Sequence, residues 1–104
     1  LPFHASISAA KGAVEGLTRS LAAELAPRVR VNCIAPSLTD TSLAAPLLSS
    51  EEKKSSSAKR HPLNRIGDPR DLAGLVSFLL GSQSRFMTGN IIKADGGLSS
   101  LKLF

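Results

Sequence analysis

Residues 30–35 (Arg-Val-Asn-Cys-Ile-Ala) form a short apolar run that Pro36 stops. A run this short and this apolar suits a strand buried in a parallel sheet, covered by helices on its faces. The text before it agrees. Ala10, Val14, Leu17, Leu21 and Leu25 recur at helical spacing, and Pro27 closes the segment because its ring has no N–H to continue the ladder. This predicts a helix over residues 8–25. Gly12 and Gly16, four apart, leave a smooth groove on it at a cost in helix propensity.

The text after Thr41 changes character. Residues 43–61 pass through Ala-Ala-Pro-Leu-Leu into Ser-Ser-Glu-Glu-Lys-Lys-Ser-Ser-Ser, a polar composition that predicts an irregular, mobile excursion. A connection of that length in a small domain is either a lid over a ligand or a solvated insertion. Asp68-Pro69-Arg70-Asp71 then carries a helix start, with an Asp cap, proline at the first helical position and an acid three residues after the cap. Leu72, Leu75, Val76, Leu79 and Leu80 continue at helical spacing, and Gly81 is expected to end the helix as a left-handed cap. A final strand is expected at residues 90–94 before the Asp95-Gly96-Gly97 turn, whose glycines supply positive φ. The order is helix, strand, irregular segment, helix, strand, which predicts an α/β fold with a parallel sheet.

Two parallel strands make a small sheet. Functional loops leave an open α/β sheet at the carboxyl ends of its strands, so residues 36–41 are the expected place for ligand contacts. Two strands are also too few for independent stability. If the chain folds alone, its helices should expose apolar stripes and copies should dimerise or exchange elements.

Charge and cysteine content narrow the function classes. The net charge is +5, but the 13 Lys and Arg are dispersed among 8 acids and only 4 Phe, with no Trp or Tyr for stacking, so no nucleic-acid partner is expected. No run of 18 apolar residues and no basic-then-apolar leader occurs, so neither membrane nor export is expected and the default address is cytoplasmic. The single cysteine, Cys33, has apolar neighbours and reads as a buried small hydrophobe. His61 has no acid or cysteine at metal spacing, and no metal site is expected. The Leu1-Pro2-Phe3 start and the apolar end at Phe104 read as a fragment of a longer chain.

Four pieces in order resemble the short-chain dehydrogenase/reductase family. Ser6 to Pro27 resembles its active-site helix, with Lys11 in place. The Val31-Asn32-Cys33-Ile34-Ala35-Pro36 stretch with Thr39 and Thr41 resembles the strand and turn that hold a nicotinamide. Asp68-Pro69-Arg70-Asp71 resembles its late helix, and Thr88-Gly89 through Asp95-Gly96-Gly97 its closing strand. The resemblance implies that residues 1–104 are the C-terminal part of one doubly wound, Rossmann-type NAD(P)-binding domain. The glycine-rich pyrophosphate turn of such a domain is not in this sequence. It also implies an oxidoreductase that takes NAD or NADP, acts on a small alcohol or carbonyl substrate and forms a homo-oligomer.

The resemblance assigns roles residue by residue. Lys11 would bind the nicotinamide ribose and favour ionisation of an acid nearby. Pro36, Ser37, Thr39 and Thr41 would seat the nicotinamide, Thr39 through its backbone to the carboxamide and Thr41 through its hydroxyl. Two positions depart from the family. Ile7 stands four residues before Lys11, where the family has its proton-transferring tyrosine, and Ser37 stands where it has glycine. An aliphatic side chain cannot move a proton, which leaves two readings: an enzyme with another donor, for which His4 is the candidate, or a non-catalytic relative that binds a nucleotide or serves assembly. Ser6 and Ser8 read as helix caps, since an unassisted serine is a poor acid.

Overall fold

The computed structural model describes residues 4–102. The chain termini used above to read a fragment, residues 1–3 and 103–104, lie outside the described residues. Helix α1 spans His4–Leu25, strand β1 Cys33–Pro36, helix α2 Glu51–Lys59, helix α3 Pro69–Leu80 and strand β2 Ile91–Ala94; a 3₁₀ segment, Ser42–Leu48, precedes α2. The two strands pair in parallel with Cys33 opposite Ile91 and Pro36 opposite Ala94. The chain between them, with α2 and α3, is the crossover that a parallel pair requires, but β1 is half-buried and not buried as its apolar run predicted.

Helix α1 starts four residues earlier than expected, at His4 rather than residue 8. Ser6 and Ser8 consequently lie inside the helix rather than before its first turn, and the Ser8 hydroxyl faces the His4 ring at 3.4 Å, one turn back. Thr18 and Ala22 are buried and Glu15, Leu21 and Leu25 half-buried, which marks the packed stripe of α1. Ala22 meets Gly89, whose φ of +74° sits just before β2.

Strand β1 is shorter at its start than expected: Cys33 N–H reaches Asn90 O, but before it the backbone bond from Gly89 N–H to Val31 O is not in ladder register, and side chains make further links. Val31 N–H donates to the Thr88 hydroxyl, the Asn32 side-chain oxygen accepts from Asn90 N–H, and the Asn32 amide donates to the Met87 carbonyl. Regular pairing begins only at Cys33, which is half-buried rather than buried.

The stretch expected to be irregular, residues 43–61, is mostly helical. Thr41 caps the 3₁₀ segment by accepting from Ala44 N–H, and Ser50 caps α2 by accepting from Lys53 N–H. Glu51 and Glu52 in the first turn of α2 and Lys59 in its last complement the helix dipole. Caps and end charges thus outweigh a serine-rich interior with low intrinsic propensity.

Helix α3 begins as predicted, with reciprocal Asp68 and Asp71 side-chain bonds and Pro69 in the first turn. Its end differs. Gly81 has φ −93° and ψ 175°, an extended conformation and not a left-handed cap. The orphan carbonyls there are taken by side chains. The Arg30 guanidinium donates to Ser84 O, Met87 O and Leu79 O at 2.9 to 3.0 Å and to Gly81 O at 3.4 Å. The buried Ser84 hydroxyl lies 2.8 Å from Phe78 O and 3.0 Å from Leu79 O. A cation at a helix C-terminus does there what a positive-φ glycine does elsewhere.

Candidate functional site

Both strands end at the same side of the molecule, and the loops that leave them meet. Leaving β1, Ser37 N–H donates to Ala94 O at 3.4 Å, and residues 38–40 run beside Gly67 as a single parallel bridge. Gly67 N–H donates to Leu38 O and Asp40 N–H donates to Gly67 O, both at 2.9 Å. Consecutive residues of an extended chain point their backbone groups to opposite edges, so the N–H and C=O of Thr39 face away from Gly67. Among the described residues they have no hydrogen-bond partner. The Thr39 hydroxyl is tied down, donating to Ser37 O at 3.0 Å.

Gly67 suits this crossing: a Cβ there would stand 2.9 Å from the Thr39 hydroxyl oxygen and 3.4 Å from Leu38 O, so any side chain would have to displace the threonine or part the two segments.

The remaining expected contacts are distributed around this loop. Pro36 closes β1 and is exposed; the Thr41 hydroxyl is occupied as the cap of the 3₁₀ segment. Ser37, where glycine was expected, turns its hydroxyl to the His61 Nε2 at 2.8 Å, and His61 Nδ1 lies 2.8 Å from Ser57 O. A carbonyl only accepts, so Nδ1 carries the hydrogen and Nε2 accepts from Ser37 Oγ. His61, for which the sequence offers no metal partners, is buried, at 2% exposed. Sequence spacing gave no sign of this pair, since its members are 24 residues apart. A cleft of about 330 Å³ opens here, lined among others by Ser37, Thr39, His61, Asp68, Lys93 and Asp95.

Lys11 is exposed on α1 and has no hydrogen bond or ion pair among the described residues. Its place on the helix is informative. Positions 11, 15, 18, 22 and 25 step by three or four and share one face, so Lys11 continues the packed stripe toward the N-terminus. Ala22 meets Gly89 at the amino end of β2 and α1 also lies against β1, so the N-terminal turns of α1 lie toward the carboxyl ends of the strands. Ile7, 47% exposed, and His4 precede Lys11 on the same face. His4 and Lys11 are about 10 Å apart along the axis at 1.5 Å per residue.

The Asp95 carboxylate accepts from Gly97 N–H, Ser99 N–H and the Ser99 hydroxyl, and the Ser99 bond is the main reason its carboxyl lies below the usual range. Gly96 and Gly97 take φ of +61° and +89°, as the turn requires. Among the described residues no group of three His, Cys, Asp or Glu could hold a metal ion.

A parallel strand pair joined by a helical crossover, with open loops at the carboxyl ends of its strands, is of the Rossmann-type α/β class. Residues 1–99 match the family model adh_short_C2, described as Enoyl-(Acyl carrier protein) reductase. The chain belongs to the short-chain dehydrogenase/reductase family. It is 41% identical over 100 residues to human Dehydrogenase/reductase SDR family member 4, a match covering 95% of this chain and 36% of that protein. Among solved structures it is similar to 4-hydroxyisoleucine dehydrogenase complexed with NADH (TM-score 0.84, 33% identity, 90% of this chain and 39% of that one). It is likewise similar to Thermoplasma acidophilum aldohexose dehydrogenase (TM-score 0.82, 38% identity, 90% and 40%). The chain thus spans little more than a third of the length of these relatives.

The residues present fit one half of a nicotinamide dinucleotide. A carboxamide offers one acceptor and one NH₂ donor, and the free N–H and C=O of Thr39 are the complementary pair on one edge. The phosphates need a glycine-rich strand-to-helix turn, and this sequence contains none.

Proposed function

We propose that these residues form the nicotinamide-facing third of a Rossmann-type oxidoreductase that uses NAD or NADP to interconvert a small alcohol and its carbonyl compound. The observation that carries the proposal is the unpaired Thr39 backbone at the carboxyl end of β1. The short span of this chain on its relatives supports reading it as the C-terminal part of one longer domain. That domain would be cytoplasmic and homo-oligomeric, with no nucleic acid or membrane among its partners. Among the described residues, no helix is long and apolar enough to cross a membrane.

The bound cofactor would supply hydride chemistry. Thr39 N–H and C=O would fix the carboxamide, Lys11 would hold the ribose hydroxyls, and Pro36, Ser37 and Thr41 would shape the wall of the site. The helical stretch 42–59 would cover substrate and exclude water, tied to the loop by the Lys54 and Asp40 ion pair at 3.5 Å. The proton cannot pass through Ile7. Loss of a general acid costs on the order of 10² to 10⁴ in rate. His4 is on the same face of α1 one turn before Ile7 and carries a titratable ring, so His4 Nε2 is the group that would hold the proton.

A second reading is favoured by Ile7 itself: a relative that binds the nucleotide without turning over. Titrating the full-length protein with NADH and NADPH by fluorescence, then assaying cofactor oxidation against a panel of ketones and aldehydes, separates the two. Binding with turnover that falls in His4→Ala supports the enzyme with that donor, and turnover undiminished in His4→Ala removes His4 from the account. Binding without turnover supports the second reading, and no binding overturns both.

A further inference from the structure

We propose that His61 is a positioning residue which, through Ser37, makes the covering segment 42–59 and the Thr39 backbone hook move as one unit. The proposal rests on the nicotinamide-site reading above and adds to it a coupling between cofactor and cover.

Three separate pieces of chain converge on His61. Its Nδ1–H donates to Ser57 O and its backbone N–H to Ala58 O at 3.1 Å, which fastens it to the last turn of α2. Its Nε2 accepts from Ser37 Oγ, which fastens it to the exit of β1. Its Cβ and ring lie 3.5 to 3.6 Å from where a Cβ on Gly96 would stand, ordinary van der Waals distance, and Leu63 N–H, two residues on, donates to Gly96 O, so the chain around His61 lies against the exit of β2. Both ring nitrogens are satisfied by partners on different elements, and the ring is 2% exposed. A buried polar group with both bonds made is strongly specified, because either bond broken leaves an unpaired polar atom out of water.

Ser37 passes the constraint onward. Its hydroxyl hydrogen goes to His61, its carbonyl accepts the Thr39 hydroxyl at 3.0 Å, and its N–H holds Ala94 O. The Thr39 backbone is therefore set by a path that runs Ser57, His61, Ser37, Thr39. Glycine at position 37, the family's usual residue, would lack the middle link. In this chain a ligand that immobilises Thr39 also immobilises the end of α2, and opening α2 loosens the grip on the carboxamide.

The test uses the full-length protein and two readouts. Amide hydrogen exchange of residues 51–60 is measured without and with saturating NADH, and NADH affinity is measured by fluorescence. The variants are Ser37→Gly, Ser37→Ala, His61→Ala, His61→Gln, His61→Asn and the double change Ser37→Ala with His61→Ala. A neutral buried hydrogen bond contributes a factor of about five in an equilibrium constant. We expect Ser37→Ala and His61→Ala each to speed exchange at 51–60 and to weaken NADH about fivefold or more, and the double variant to be no worse than His61→Ala. His61→Gln, whose amide oxygen reaches the place of Nε2, should recover the Ser37 link and much of the affinity; His61→Asn should not.

Additive losses, or Ser37 variants that leave exchange at 51–60 unchanged, overturn the coupling. So does equal behaviour of the Gln and Asn variants. If His61→Ala does not fold, Ser37→Ala decides alone, since it removes one hydroxyl and keeps the Cβ. Failure of the wild-type protein to bind NADH or NADPH would sink the functional reading, while the exchange of the ligand-free Ser37 variants still judges the His61 link.

Discussion

The backbone of Gly67 lies close against the Thr39 side chain, and that crowding sets the shape of the loop after β1. The would-be Cβ of Gly67 is 2.9 Å from Thr39 Oγ1, so Gly67→Ala must rotate the threonine away from Ser37 O or push the two segments apart. Overpacking of this kind costs about 1 to 3 kcal/mol. The expected outcome is a lower melting temperature together with weaker NADH binding in the full-length protein. A stability loss with affinity unchanged would mean that Thr39 is not the hook. Thr39 and Thr41 were both expected to contact a cofactor from their place after Pro36; the structure leaves the Thr39 backbone without a partner among the described residues, while the Thr41 hydroxyl caps a 3₁₀ turn. His61 was not legible, because its burial depends on a serine 24 residues away and on a glycine turn after β2. Nothing local distinguishes such a histidine from a solvated one.

Helix ends are the features that local text encodes best, and α3 shows both the success and its limit. Its start was read from Asp68, Pro69 and Asp71 alone, because capping chemistry involves only neighbours. Its end falls at Gly81 as expected, but not as a left-handed cap, because the group that takes its carbonyls is Arg30, about 50 residues back in the chain. The same reasoning explains α2: its interior serines masked a helix whose caps and end charges were present in the sequence.

Two predictions belong to these elements. Arg30→Leu leaves the Leu79, Ser84 and Met87 carbonyls without their cationic donor. It should cost about 2 to 3 kcal/mol in chemical denaturation, with Arg30→Lys recovering only part because an ammonium cannot span both carbonyl pairs. A loss below about 0.5 kcal/mol would mean the bonds are replaced by water.

The second concerns acid. Bonds from the Arg70 side chain, then from its backbone N–H, hold the Asp68 carboxyl down to about 2; those from Arg65 and from Asp68 N–H hold Asp71 below its ordinary value. A carboxyl with a depressed folded pKa stabilises the fold above its unfolded value near about 4, and that stability drains away as pH falls toward the folded value. Melting temperature should therefore drop between about pH 4 and pH 2, and drop less steeply in Asp68→Asn, which keeps a capping oxygen without the charge. Parallel pH profiles for the two proteins would contradict this.

At the scale of the whole molecule the apolar residues are largely uncovered. Among the described residues only Ala22, Ala44 and Ile66 are buried hydrophobics, whereas Val14, Leu17, Leu80 and Phe86 are exposed, Phe86 completely. The radius of gyration is 15.6 Å, against about 13 Å for a compact domain of this length. The two-stranded sheet and its exposed stripes agree with the expectation that 104 residues alone lack partners for their helix faces. Sedimentation of the isolated chain should accordingly report self-association above 10.9 kDa, and a single species of that mass with cooperative unfolding would contradict it. The fold class was legible because parallel strands and crossover helices write distinct periods into the sequence. The contact that would cover the stripes was not, because it involves surfaces outside the paired elements.

In the proposed function Lys11 and the loop after β1 form the nicotinamide side of a dinucleotide site. Fluorescence titration of NADH against the full-length protein and its Lys11→Met variant tests it most directly, since methionine keeps the stem and removes the ammonium. The account predicts saturable binding by the wild type, weakened about tenfold or more in the variant, as loss of a charged hydrogen-bond donor implies. Equal affinity in the two proteins, or no binding by either, would contradict it.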